Sequence, residues 1–182
     1  MKKKIIAISG STRPGSTNLN LIKAIAGLAV NRFDVTVFND IATIPHFNPD
    51  LDNNNPPEAV TAFRKLLAAA DGILICTPEY AMGVPGTLKN AIDWTVSSCE
   101  FSHKPTALIT ASSVGQKGHA SLMETLKVIE ARVTDKTHMV ISHAKTKVSS
   151  DCKITDAPTL EKVSSLIASF IELMETAKTA YL

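Results

Sequence analysis

Long apolar runs are missing from this chain. The longest, such as Gly72 to Cys76 and Ala107 to Ile109, fall far short of the roughly 20 residues that a membrane-spanning helix needs, so no membrane span is expected. The basic start, Met1 to Lys4, is followed only by the short apolar stretch Ile5 to Ile8 before a glycine-rich turn. That is too little for the core of a signal peptide, and a cytoplasmic location is expected. Cysteine is scarce: Cys76, Cys99 and Cys152 form an odd set without close pairs, which argues against a disulfide framework or a zinc site and for reduced thiols. His46, His103, His138 and His143 have no metal-like spacing, so no metal is expected. Strong charge of one sign is also lacking. A net charge of +2 gives too weak a field for nucleic-acid binding, which normally shows clustered Lys and Arg on one face. No internal repeat or low-complexity linker interrupts the chain.

What is present is the composition of an ordinary globular protein, 45% apolar and 20% charged, and 182 residues suffice for one sizeable core. One domain over residues 1–182 is expected. Lys4 to Ser9 is nearly continuous in Ile and Ala and stops at Gly10, the pattern of a buried parallel strand. Leu21, Ile22, Ile25, Leu28 and Ala29 then recur at helical spacing from Thr17 to Val30, with Ser16, Thr17 or Asn18 as N-cap. Val35 to Phe38 reads as a second strand and 39–57 as a long loop rich in Asn, Asp and Pro. A helix with Val60, Phe63, Leu67 and Ala70 on one face follows.

Ile73 to Thr77, uniformly apolar, predicts a central third strand, followed by a helix from Thr87 to about Ser97. Pro105 to Thr110 is a fourth strand. The next helix shows a buried stripe of Leu122, Leu126, Ile129 and Val133. Thr137 to Ile141 is a fifth strand. The segment 142–157 lacks periodicity, and a last helix from Pro158 to about Ala177 carries Leu160, Val163, Ile167, Phe170 and Met174 on one side. Five strands alternating with five helices predict a doubly wound parallel sheet in a three-layer α/β/α arrangement. The flavodoxin-like order 2-1-3-4-5 is favoured over a six-stranded Rossmann sheet, because no sixth strand is available.

In such a sheet a ligand lies outside the carboxyl ends of the strands, where strand order reverses, which singles out three loops. The first, Gly10 to Asn18, carries Ser11, Arg13, Ser16, Thr17 and Asn18, two glycines and no acidic residue. A helix N-terminus offers free N–H donors and the positive end of the macrodipole to a phosphate. Arg13 adds a permanently charged fork, and the hydroxyls can donate without bringing negative charge. No Lys-Ser or Lys-Thr ends the loop as in a Walker A motif, and the glycine spacing is not the dinucleotide fingerprint, so a monophosphate fits better than a pyrophosphate. The alternative is a serine-rich turn that merely caps a helix.

The second loop, Thr77 to Gly86, holds two prolines and two glycines beside Glu79, Tyr80, Ala81 and Met82. A flavin ring needs a flat apolar slot and backbone donors near the positions that gain negative charge on reduction, and a stiff loop suits it. Glu79 reads as a binding or structural residue, since direct hydride transfer to a flavin, were one held here, would need no catalytic side chain. Trp94 reads as core or interface packing. The third loop, with Ser112, Ser113 and Gly115, could close over the other face. His119 at a helix start reads as a cap or surface residue with a neutral ring.

At this point the chain resembles the NADPH-dependent FMN reductase family, a flavodoxin-like group that includes quinone, chromate and azo-dye reductases. The resemblance is carried by Gly10-Ser11-Thr12-Arg13 with Ser16 and Asn18. It is carried further by Pro78-Glu79-Tyr80 followed by Pro85-Gly86, Leu88-Lys89-Asn90 and Asp93-Trp94, and by Ile44 to Asp50. It implies FMN as cofactor, with Ser11, Arg13, Ser16, Thr17 and Asn18 around the phosphate. Pro78, Glu79, Tyr80 and Ala81 would border the ring, and Ser112, Ser113 and Gly115 would complete the site. It implies NADPH or NADH as co-substrate, a small-molecule electron acceptor such as a quinone, azo compound, metal oxyanion or free flavin, ping-pong hydride transfer, and a homodimer or homotetramer. The chain departs from the family at Ala81-Met82-Gly83, where many members have Asn after the Glu-Tyr pair and then a Gly-Ser step. Two other classes stay open: a flavodoxin-type electron carrier, which the mildly basic charge disfavours, and a non-catalytic flavin-binding protein whose redox state regulates a partner.

Overall fold

The computed structural model describes residues 2–179. Strands β1 (Lys3–Ser9), β2 (Phe33–Phe38), β3 (Gly72–Thr77), β4 (Thr106–Ala111) and β5 (His138–Ile141) alternate with helices α1 (Thr17–Leu28), α2 (Glu58–Ala69), α3 (Gly86–Asp93), α4 (Gln116–Val128) and α5 (Ala157–Thr179). All four strand pairings are parallel and the order is β2-β1-β3-β4-β5, the flavodoxin-like arrangement expected from the sequence.

Period-two alternation sends successive side chains of a strand to opposite faces. Ile5, Ala7, Leu74, Cys76, Ala107 and Ile109 join one buried cluster with residues of α1 and α5. Ile6, Ile8, Ile73, Ile75 and Leu108 join a second with α2, α3 and α4. β3 and β4 are buried along their whole length, which is why they read as unbroken apolar runs, whereas the edge strands β2 and β5 are only partly covered.

Element ends differ from the sequence reading where local signals were weak. β2 begins at Phe33, two residues early. α3 stops at Asp93 and continues as turns, with Trp94 as its C-cap, the Trp94 N–H still donating to Asn90 O. α4 stops at Val128, so Ile129 and Val133 lie past its end, although both still pack on the second cluster. Leu28, assigned to the buried face of α1, is 51% exposed.

The long loop after β2 is anchored to α3. Asn90 Nδ2 and Trp94 Nε1 donate to Pro45 O at 2.9 and 2.8 Å, and Phe47 N–H donates to Asn90 Oδ1 at 2.7 Å. Arg64 bridges Trp94 O and the Asp52 carboxylate. Trp94 is thus fully buried within the chain, with its one polar atom satisfied. The three cysteines are free thiols, and among the described residues no helix is long and apolar enough to cross a membrane.

Candidate functional site

The strand order reverses between β1 and β3, and the loops leaving their carboxyl ends form the floor of a cleft of about 460 Å³, within the usual range of small-molecule sites. The loop after β1 supplies Ser11, Arg13, Ser16, Thr17 and Asn18. Ser16 is the N-cap of α1, in extended conformation, with its hydroxyl oxygen accepting from Leu19 N–H at 3.1 Å. The N–H groups of Thr17 and Asn18 therefore lie at the open end of the helix. Ser11 organises the turn before it, its Oγ accepting from Arg13 N–H at 3.4 Å. Arg13 lines the cleft and is exposed.

Asn18 is 3% exposed and donates through Nδ2 to Ala111 O at 3.0 Å, tying the start of α1 to the end of β4. A carbonyl can only accept, so the amide orientation is settled by this bond. Asn18 Oδ1 is buried and finds no hydrogen-bond partner among the described residues.

Pro78, Glu79 and Tyr80 from the loop after β3, and Ser112 and Ser113 from the loop after β4, form further walls. Glu79 Oε2 accepts from Gly118 N–H at 2.6 Å in the first turn of α4, so the one carboxylate that lines the cleft among the described residues is already partnered. Ala81 and Gly115 do not line the cleft. Ala81 lies in a two-residue turn closed by reciprocal Tyr80–Gly83 backbone bonds of 2.9 Å, and Gly115 is the N-cap residue of α4.

A fourth wall was missed in the sequence. His143, Ala144, Lys145 and Thr146, just after β5, line the same cleft. His143 N–H and Ala144 N–H donate to Ser113 O and Ser112 O at 3.1 and 3.0 Å, which pins this segment to the third loop. The signal that could have found it is positional, since the rule that ligands sit beyond strand carboxyl ends applies to β5 as well.

His119 is a correction. It is not at the surface but 8% exposed. Its Nδ1 is 2.8 Å from Thr110 Oγ1 and its Nε2 is 2.9 Å from His138 Nδ1. The ring is neutral, as expected, but for different reasons: burial, and then the neighbouring His138, push its pKa down to about 4.

The donor set suits a phosphorylated, polyhydroxylated ligand: hydroxyls, a guanidinium, an ammonium and open helix N–H groups, with no free carboxylate to repel phosphate. Fold and cleft together define a flavodoxin-like mononucleotide-binding α/β protein. The model of the NADPH-dependent FMN reductase family matches residues 3–146, and the chain belongs to that family. It is similar to an NAD(P)H-dependent FMN reductase of Pseudomonas aeruginosa, at 34% identity over 94% of this chain and 93% of the relative. A quinone reductase of Escherichia coli is 31% identical over 97% and 98%. Among solved structures, a flavoenzyme NAD(P)H:(acceptor) oxidoreductase of Paracoccus denitrificans superposes with a TM-score of 0.79 at 26% identity, covering 96% of this chain and 98% of that one. The FMN-dependent NAD(P)H oxidoreductase class expected from the sequence stands with the family.

Proposed function

We propose that the protein binds FMN with its phosphate at the open end of α1 and its ring against the Pro78–Tyr80 segment, and reduces a small acceptor, a quinone foremost, at the expense of NADPH or NADH. The observation that carries the reading is the convergence of Ser11–Asn18, Pro78–Tyr80 and Ser112–Ser113 on one cleft at the switch point of the sheet. Bound FMN would supply the hydride chemistry, taking two electrons from the nicotinamide and giving them to the acceptor in a ping-pong cycle.

The residues of the chain bind and orient. Ser16 and the first turn of α1 direct hydroxyl and N–H donors to the phosphate oxygens, and Arg13 neutralises their charge. The unpartnered Oδ1 of Asn18 is an acceptor, suited to a hydroxyl or N–H and not to the phosphate itself. Buried Pro78 gives a flat apolar surface. No side chain is assigned a proton-transfer role.

A homodimer or homotetramer fits the exposed apolar side chains Tyr80, Met82 and Val114 (51%, 74% and 57% exposed) on the loops after β3 and β4, an area a second copy could cover. A reducing cytoplasm fits the exposed free thiol of Cys99. The test is direct. Purified protein should carry FMN's visible absorption and oxidise NADPH or NADH when a quinone, ferricyanide or an azo dye is supplied. A protein that binds no flavin, or shows no flavin-dependent turnover across that panel, defeats the proposal.

A further inference from the structure

Two loops that the sequence separates by 39 positions meet at the start of α4. Its N-cap is Gly115, which has no side chain to offer, and no side-chain cap bond forms there. The cap comes instead from the loop after β3: the Glu79 carboxylate takes the Gly118 N–H at 2.6 Å, where a negative charge also complements the helix dipole. The approach is close enough to require glycine. A Cβ on Gly118 would stand 2.7 Å from Gly83 O, 3.1 Å from Glu79 Cγ and 3.2 Å from Gly83 C, and two of those three neighbours are backbone atoms that cannot rotate away.

Between the two contact points lies a strained turn. Ala81 and Met82 have φ of +48° and +62°, left-handed values that side chains other than Asn, Asp or Gly adopt at a cost. Such a conformation persists only where its surroundings over-determine it. Here the surroundings are Glu79 on one side of the turn, held by Gly118, and Gly83 on the other, packed on the same residue. The result is a lip at the edge of the cleft that presents Tyr80 and Met82 to solvent.

We infer that Glu79 and Gly118 form a latch that positions the Tyr80–Gly83 turn, and that the lip so held favours planar aromatic acceptors such as quinones over compact metal-complex anions such as ferricyanide. This rests on the FMN reading above. A phenol ring and a thioether offer stacking and dispersion surface to a flat ring, and the lip carries no charge to attract an anion. Glu79 and Gly118 are positioning residues: the carboxylate is engaged with the helix, and Gly118 does not line the cleft.

The experiment compares FMN-loaded wild type with Gly118→Ala, Glu79→Ala and Glu79→Gln, using a naphthoquinone and ferricyanide as acceptors and recording the absorption bands of bound flavin. Ferricyanide, which has no flat ring to stack on the lip, serves as internal reference. In Gly118→Ala and Glu79→Ala the ratio of kcat/KM for naphthoquinone to that for ferricyanide should fall at least fivefold, mainly through the naphthoquinone KM, with a shift in the flavin bands. Glu79→Gln, whose amide oxygen can still accept from Gly118, should lose less than half as much of that ratio as Glu79→Ala. Unchanged ratios and bands in both disrupted variants, or equal losses with the two acceptors, overturn the latch. Should Gly118→Ala fail to fold, the Glu79→Ala and Glu79→Gln pair decides alone. A wild-type protein lacking flavin or NAD(P)H turnover overturns the functional reading itself, a separate outcome.

Discussion

Asn18 Nδ2 donates to Ala111 O at 3.0 Å across 93 positions of sequence, joining the helix at the proposed phosphate site to the strand that leads into the opposite wall. Removing the donor leaves a buried carbonyl unpaired, which costs about 1–3 kcal/mol. Asn18→Ala should therefore lower unfolding free energy by about 1–2 kcal/mol and loosen FMN. Asn18→Asp keeps the shape but sets a carboxylate against the carbonyl and near the phosphate, so it should lose more FMN affinity than the alanine variant. Urea unfolding and fluorescence titration with FMN check both. An Asn18→Asp protein with wild-type FMN affinity would show that the phosphate lies elsewhere.

Arg13 is exposed, so its replacement by alanine should change stability by no more than about 0.5 kcal/mol. On the proposed reading its charge serves the phosphate. A charge-assisted hydrogen bond contributes about 1.5–3 kcal/mol, so FMN affinity should fall roughly 10- to 100-fold in Arg13→Ala while riboflavin, which lacks the phosphate, binds as before. Parallel titrations with the two flavins make the measurement. Equal weakening of both would place Arg13 away from the phosphate.

These two sites were legible to different depths. Arg13, Ser16 and their neighbours stand out in the sequence because a strand, a glycine turn with hydroxyls and a helix start are local patterns, and the sheet order then follows from unbroken apolar runs such as Ile73 to Thr77. The contacts of Glu79 and His119 were not legible in that way. Their partners lie in other loops and strands, Gly118 for the one and Thr110 and His138 for the other, and no periodicity announces such contacts. The wall at His143–Thr146 was hidden for another reason: an irregular segment gives no pattern, and its place is fixed by backbone bonds to Ser112 and Ser113.

The buried His119 makes stability depend on pH in a defined window. Its pKa is about 4 in the folded protein against an ordinary 6.5, so between these values the unfolded chain binds the extra proton and the folded one does not. Stability is complete above pH 6.5 and declines as pH falls toward 4, after which both states are protonated and the loss stops. The neighbouring His138 is partly exposed, which moderates the penalty, and a loss of roughly 1–2 kcal/mol is expected. Denaturant unfolding from pH 7.5 to 4 should show this slope, and His119→Gln should flatten it. Asp52, held low chiefly by its hydrogen bond from Arg64, adds stability that is fully present in this window and is lost only as pH falls below the ordinary carboxylate range. A His119→Gln protein with an undiminished slope would trace the effect to another group.

The turn at Ala81 and Met82 offers the opposite kind of change, one that should stabilise. Reciprocal Tyr80–Gly83 bonds around two central residues with positive φ define the mirror-image hairpin turn in which Asn followed by Gly is preferred. Each left-handed residue with an ordinary side chain costs roughly 1 kcal/mol, and Met82, 74% exposed, has little packing to lose. Ala81→Asn with Met82→Gly should therefore raise unfolding free energy by about 1–2 kcal/mol. The same pair removes the thioether from the lip, so quinone KM should rise even as stability improves. Urea unfolding and steady-state kinetics on one preparation separate the two effects. A double variant no more stable than wild type would mean that the left-handed geometry is not strained there, and the latch at Glu79 and Gly118 would have nothing to hold in place.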